Sequence, residues 1–261
     1  MHEREAIVLF LKSLRDQIIC GFESLEPEKR FERTLWNHRT GGGGEISLLR
    51  GEVFEKAAVN WSGVSGDSFP MQDGQGPFFA TGVSLITHMR NPHAPTVHMN
   101  IRYIQTEKKT WLGGGYDLTP MGPSYAEDTE HFHRVAKNTL DPFGKTLYQD
   151  FSSQAREYFY IPHRRKERGV GGIFFDFVKV ENDSDFLLLL DVGQFAARAY
   201  TEILSRRIEM SYDDSLIEKH HYWRGRYAEF NLVYDRGTKF GLMSGGNHEA
   251  IFCSLPPQVK W

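Results

Sequence analysis

His98, Asn100 and Arg102 lie at i, i+2 and i+4, interleaved with Val97, Met99, Ile101 and Tyr103. In an extended strand alternate side chains share a face, so this spacing projects an imidazole, an amide and a guanidinium from one side. An imidazole, with a reference pKa near ~6.5, exchanges protons around neutrality. A guanidinium grips a carboxylate through two parallel hydrogen bonds. Residues 79–88 alternate in the same way, placing Ser84 and His88 on one face. If both rows point to one side they converge on a polar ligand; a solvated sheet face accounts for the same alternation. Asp117 follows Gly113-Gly114-Gly115, read as a glycine-rich turn. A carboxylate there can accept N–H groups of a ligand, or cap its own turn.

His88, His98, His133 and His163 are candidates for a divalent metal. The ten-residue spacing of the first two matches no local metal motif, and His131 and His133, two apart on an expected helix, do not face each other. Short cation clusters, Arg164-Arg165-Lys166 with Arg168, and Arg224 with Arg226, suit either solvated turns or an anion pocket. Cys20 and Cys253 make no disulfide framework and no CxxC, and read as buried thiols.

These residues need elements to position them. Ile7, Leu11, Leu14, Ile18 and Phe22 form one apolar helix face. Gly41–Gly44 reads as a loop before strands. Strands are expected at 79–88 and 96–104, joined by a short turn and therefore antiparallel. Helices are expected from Ser124 to about residue 140, from Asp141-Pro142 to about 158, and from about 184 to 207, with a shorter one ending near 224. Residues 171–176 read as a buried strand. The tail reads as strands at 227–234, 239–243 and 250–255. No repeat or low-complexity linker interrupts the chain, so a single α+β domain is expected over 1–261, its strands sharing one sheet covered by helices.

Composition narrows the class. With 261 residues, 40% apolar and 25% charged, the chain is an ordinary globular protein. A net charge of −3 and the absence of a dense Lys/Arg run argue against a nucleic-acid partner. No apolar stretch approaches the ~20 residues of a membrane span, and the N-terminus carries no targeting pattern, so a cytoplasmic protein is expected. No GxGxxG follows a strand and no CxxxCxxC iron–sulfur pattern is present.

Several long stretches resemble the oxygen-dependent coproporphyrinogen III oxidases. These are residues 79–102, with His88, Asn91-Pro92, His98 and Arg102; Trp111-Leu112-Gly113-Gly114-Gly115-Tyr116-Asp117-Leu118-Thr119-Pro120; residues 163–176; residues 225–241; and Ser254-Leu255-Pro256-Pro257. They run in order from about Gly41 to Trp261.

The resemblance implies a large, mainly antiparallel sheet flanked by helices on both sides, in a homodimer associated through about residues 227–261 that converts coproporphyrinogen III to protoporphyrinogen IX. Dioxygen is the co-substrate, the ring A and B propionates become vinyl groups, and carbon dioxide and hydrogen peroxide leave; the substrate supplies the reducing power, so no flavin, haem or iron–sulfur cluster is expected. It implies His98 as proton donor, Asp117 as acceptor of the pyrrole N–H groups, and Arg102 as a catalytic propionate clamp. Ser84, Asn100, Ile101 and Arg102, with Gly245, Gly246 and Asn247, take substrate-contact positions. His88, His98, His133 and His163 take positions proposed for a divalent metal in some members. Asn247 stands where the family usually has arginine, and relatives are expected to continue past Trp261. Two rival readings stay open: a non-haem iron oxygenase using His88, His98 or His163, and a tetrapyrrole carrier without turnover.

Overall fold

The structure is a computed structural model that describes residues 2–70, 75–180 and 183–261. Among these residues the chain forms helices α1 (His2–Glu23), α2 (Ala126–Leu140), α3 (Leu147–Tyr158), α4 (Asp183–Arg207), α5 (Asp214–Val233), α6 (Arg236–Met243) and α7 (His248–Phe252). The strands are β1 (Glu32–Asn37), β2 (Gly42–Leu49), β3 (Phe54–Gly66), β4 (Phe78–Met89), β5 (Thr96–Thr106), β6 (Thr110–Thr119), β7 (Tyr160–Ile161), β8 (Lys166–Glu167) and β9 (Gly172–Lys179). Seven strands make one antiparallel sheet in the order β1-β2-β3-β4-β5-β6-β9, and β7 and β8 form a small hairpin.

Alternation in β5 assigns the two faces. Val97, Met99, Ile101 and Tyr103 are at most 2% exposed and pack with the α1 stripe of Leu11, Leu14, Ile18 and Phe22, and with α2 and α4. The other face carries His98, Asn100 and Arg102, all partly exposed, beneath α5, α6 and α7. Helices thus cover both faces, as expected for this α+β class. No helix among the described residues is long and apolar enough to cross a membrane.

Several sequence expectations fail. Residues 42–44 open β2 instead of forming a loop, and Cys20 is exposed and not a buried thiol. Residues 113–115 are not a turn but the middle of β6, opposite Arg102, Ile101 and Asn100. A Cβ on Gly113 would lie 2.8 Å from Arg102 Nε, so this glycine makes room for the guanidinium. The second helix of the middle region starts at Leu147, not at Asp141. The expected tail strands are replaced by helices up to Phe252: α5 buries His220, Arg224, Tyr227, Ala228 and Asn231 at helical spacing, and the polar members of that stripe disguise its period. The side chains of Asp235 and Asn247 cap α6 and α7, accepting the amides of Thr238 and Ala250.

Candidate active site

The register of β4, β5 and β6 brings the polar row together. Ser84 lies opposite Asn100 and Gly82 opposite Arg102; across β5, His98 lies opposite Asp117. Above them is a cavity of about 430 Å³, within the ~300–1,000 Å³ usual for small-molecule sites. Its lining includes Ser84, His98, Asn100, Arg102, Gly246 and Asn247. Asp176, Asp235 and Arg236 also line it, between aromatic walls that include Trp36, Phe174 and Phe240.

The Arg102 guanidinium is held 3.0 Å from Asp176 Oδ2 and donates to Asn100 Oδ1 at 3.2 Å. Arg236 approaches the same Asp176 oxygen at 3.7 Å. Two cations therefore share one carboxylate on the cavity wall, leaving charge to receive an anion. Asp235 accepts the Tyr158 hydroxyl at 2.7 Å and the Thr238 amide and hydroxyl at 2.7 and 2.8 Å. Burial raises its pKa, but the nearby His98 charge and these hydrogen bonds more than offset that and keep it ionised.

Asp117 is fully buried and does not line the cavity. One of its oxygens faces His98 Nδ1 at 3.1 Å and the Arg168 guanidinium; the other accepts from Arg168 Nε at 3.1 Å and from Thr119 at 3.0 Å. Burial would raise its pKa; the Arg168 charge and the hydrogen bonds from His98 and Arg168 lower it instead. Arg168 is equally buried, boxed by Phe159, Tyr227 and Phe230 at 4.4–4.7 Å. Arg168 Nη2 also lies 3.3 Å from His98 Nδ1, but the closer Asp117 carboxylate can only accept, which favours the hydrogen on Nδ1 and leaves Nε2 as the nitrogen able to exchange a proton.

Other expected site residues fall elsewhere. The Ile101 side chain is on the helix-packed face, because odd positions of β5 point away from the cavity. Gly245, with φ +76°, sits just outside the lining against Arg39. The four histidines are not brought together. His88 is fully buried, pairs through Nε2 with the Ser254 carbonyl at 3.1 Å, and is driven well below the usual histidine pKa by burial. His133 bonds the Val170 carbonyl and Tyr148, and His163 bonds Tyr234 and Glu229. Among the described residues no group of three or more His, Cys, Asp or Glu side chains is disposed to hold an ion. These residues do not fit a four-histidine metal centre.

Arg168, Asp176, Asp235 and Arg236 were not singled out as site residues from the sequence. Arg168 stood in a charged run that resembles a solvated turn, and its burial needs α5 to be a helix. Asp235 did carry a signal, the Asp-x-x-Thr pattern of a helix N-cap.

The model of the family "Coproporphyrinogen III oxidase" matches residues 6–261. The oxygen-dependent coproporphyrinogen-III oxidases of two strains of Rickettsia bellii are each 43% identical over 275 aligned positions, covering 99% of this chain and 98% of theirs. That of Rickettsia akari is 43% identical over 278 positions, covering 100% of this chain and 99% of its own. Nearly all of these three relatives is matched, so a further helix after Trp261 is not a feature of theirs. On a match spanning almost every residue, the chain belongs to the coproporphyrinogen III oxidase family.

Proposed function

We propose that this protein is an oxygen-dependent coproporphyrinogen III oxidase, turning the ring A and B propionates of its substrate into vinyl groups. The observation that carries this is the cavity wall itself: Arg102 and Arg236 around one carboxylate, with Asp235 and His98 alongside, inside aromatic walls. The substrate presents what that wall recognises, namely carboxylates, pyrrole N–H donors and an apolar macrocycle.

In each half-reaction a propionate loses carbon dioxide and one β-hydrogen while dioxygen takes up two electrons and two protons, leaving as hydrogen peroxide. The substrate supplies all the electrons, so the balance closes with dioxygen alone. Arg102 and Arg236 hold propionates, competing against Asp176. Asp176 is engaged by the two arginines, so Asp235 is the cavity carboxylate left for the ring; its remaining Oδ1 lone pair accepts a pyrrole N–H group and its charge stabilises positive charge on the electron-rich ring. This moves to Asp235 the acceptor role that the resemblance implied for Asp117. Asp117, held by Arg168, instead orients His98 and stabilises its protonated form, and His98 Nε2 handles the proton. Ser84 and Asn100 add neutral hydrogen bonds.

The homodimer is proposed to form through residues 227–261; the exposed Leu232, Val233, Leu242, Met243, Phe252 and Trp261 support it. To test the activity, protein loaded anaerobically with coproporphyrinogen III is exposed to air. Vinyl-bearing porphyrin and hydrogen peroxide are expected, and His98→Asn and Asp235→Asn should both cut the rate while keeping the fold. Wild-type rates in both variants would remove these role assignments. Tight binding with no oxygen uptake would favour a carrier.

A further inference from the structure

Phe177 combines three features that packing alone leaves unexplained. It is a left-handed residue inside a strand, with φ 57°, a conformation that costs any residue bearing a Cβ. Its ring is 54% exposed although it lines the cavity. It also follows Asp176, which lines the same cavity, although consecutive strand residues ordinarily face opposite ways.

A bulge explains the third feature. Leu112 pairs with Val178 and Gly114 with Phe175, so Gly113 alone stands opposite both Asp176 and Phe177. The extra residue is absorbed by the left-handed turn at Phe177, whose amide donates to Asp176 Oδ1 at 3.1 Å. As a result a carboxylate and a phenyl ring sit side by side at the cavity wall. One face of the phenyl is stacked on Trp111, with centroids 5.4 Å apart and planes 23° apart, and Lys109 lies 4.7 Å from its centroid. Strain that holds an aromatic ring half in solvent beside the anion-binding arginines marks a ligand contact.

We propose that Phe177 is a substrate-positioning residue whose ring stacks on the pyrrole bearing the propionate held by Arg102. The bulge couples the two contacts: Asp176 sets the guanidinium and Phe177 sets the plane of the same ring. The inference rests on the porphyrinogen reading of the cavity, and the experiment separates the two.

Binding of coproporphyrin III, the planar oxidised form of the substrate, is followed by fluorescence for the wild type and for Phe177→Tyr, Phe177→Ala, Phe177→Gly and Arg102→Ala. Phe177→Tyr should bind within about twofold of the wild type. Loss of one aromatic contact should weaken Phe177→Ala and Phe177→Gly by roughly three- to tenfold. In turnover with coproporphyrinogen III the same two variants should raise KM by a similar factor and leave kcat within about twofold. Glycine is at ease in the left-handed region, so Phe177→Gly should melt about 2–4 °C above Phe177→Ala. If the ring only shields Trp111, both variants melt lower than the wild type and bind with unchanged affinity. That outcome, with Arg102→Ala still weakened, overturns the stacking role alone. Wild-type affinity in Arg102→Ala as well overturns the reading of the cavity beneath it.

Discussion

The two faces of strand β5 are built to opposite specifications from neighbouring residues. Val97, Met99 and Ile101 have no exposure and belong to the apolar core shared with the helix layer. His98, Asn100 and Arg102 keep partial exposure and carry the groups of the cavity wall. The contrast teaches that rigidity on one face positions chemistry on the other: side chains 3.4 Å apart along the chain answer to different selections, packing and ligand.

One pair breaks the contrast. Asp117 and Arg168 lie on the cavity side yet have 0% and 3% exposure. Removing Arg168 strands the buried Asp117 charge with His98 and Thr119 as its remaining partners, and removing Asp117 strands Arg168 in its aromatic box. Arg168→Ala is therefore expected to cost about 3–5 kcal/mol, measured by urea unfolding, with Asp117→Asn in the same background recovering part of the loss. A cost under ~1 kcal/mol would mean that the pair is solvated.

Next in size is the packed face itself. Ile101→Ala should cost about 2–5 kcal/mol through the cavity it leaves against Leu14 and α4, while KM for coproporphyrinogen III in the folded fraction stays near wild type. One residue away, Arg102→Ala should do the reverse. Its ion pair with Asp176 is partly exposed, so stability should change by no more than ~1 kcal/mol. Losing a charge-assisted contact to a propionate should instead lower kcat/KM by roughly 10–100-fold. Equal effects of the two variants on both readouts would erase the distinction between the faces.

The strand faces were legible in the sequence because alternation is local, and one apolar and one polar row in residues 96–104 leave little choice. The polar rows converge on one side because the register places Ser84 opposite Asn100, which the short turn between β4 and β5 enforces. What was not legible depended on long-range partners. The tail was misread as strands because the helix expected to end near 224 runs on to Val233, where the polar Asn231 is buried among Tyr227, Ala228 and Phe230 and blurs the apolar period. Asp117 was expected to meet ligand because nothing near it in the chain announces Arg168, fifty-one positions away. Asp235 went unnoticed for the same reason: only the folded helix α6 turns a cap residue toward His98.

The smallest expected effect is one of pH. His220, buried between the carbonyls of Met121 and Met89, has its pKa lowered to about 4, chiefly by burial. Its unfolded value is near ~6.5, so the unfolded chain binds the extra proton and stability falls as pH drops from about 6.5 toward 4. The slope from this group is at most about 1.4 kcal/mol per pH unit, and buried His88 acts in the same direction. Urea midpoints for the wild type and His220→Gln between pH 7 and 5 should show a shallower fall in the variant. An identical fall would assign the acid sensitivity to other groups.

In the proposed reaction the cavity beneath α6 and α7 is where a porphyrinogen meets dioxygen. This is tested most directly by oxygen uptake on adding coproporphyrinogen III to the purified protein, comparing wild type with Arg102→Ala at equal folded concentration. The account predicts one dioxygen consumed and one carbon dioxide released per vinyl group formed by the wild type, and a large loss of that uptake in Arg102→Ala. Substrate-dependent uptake that is unchanged in Arg102→Ala, or none at all in the wild type, would contradict it.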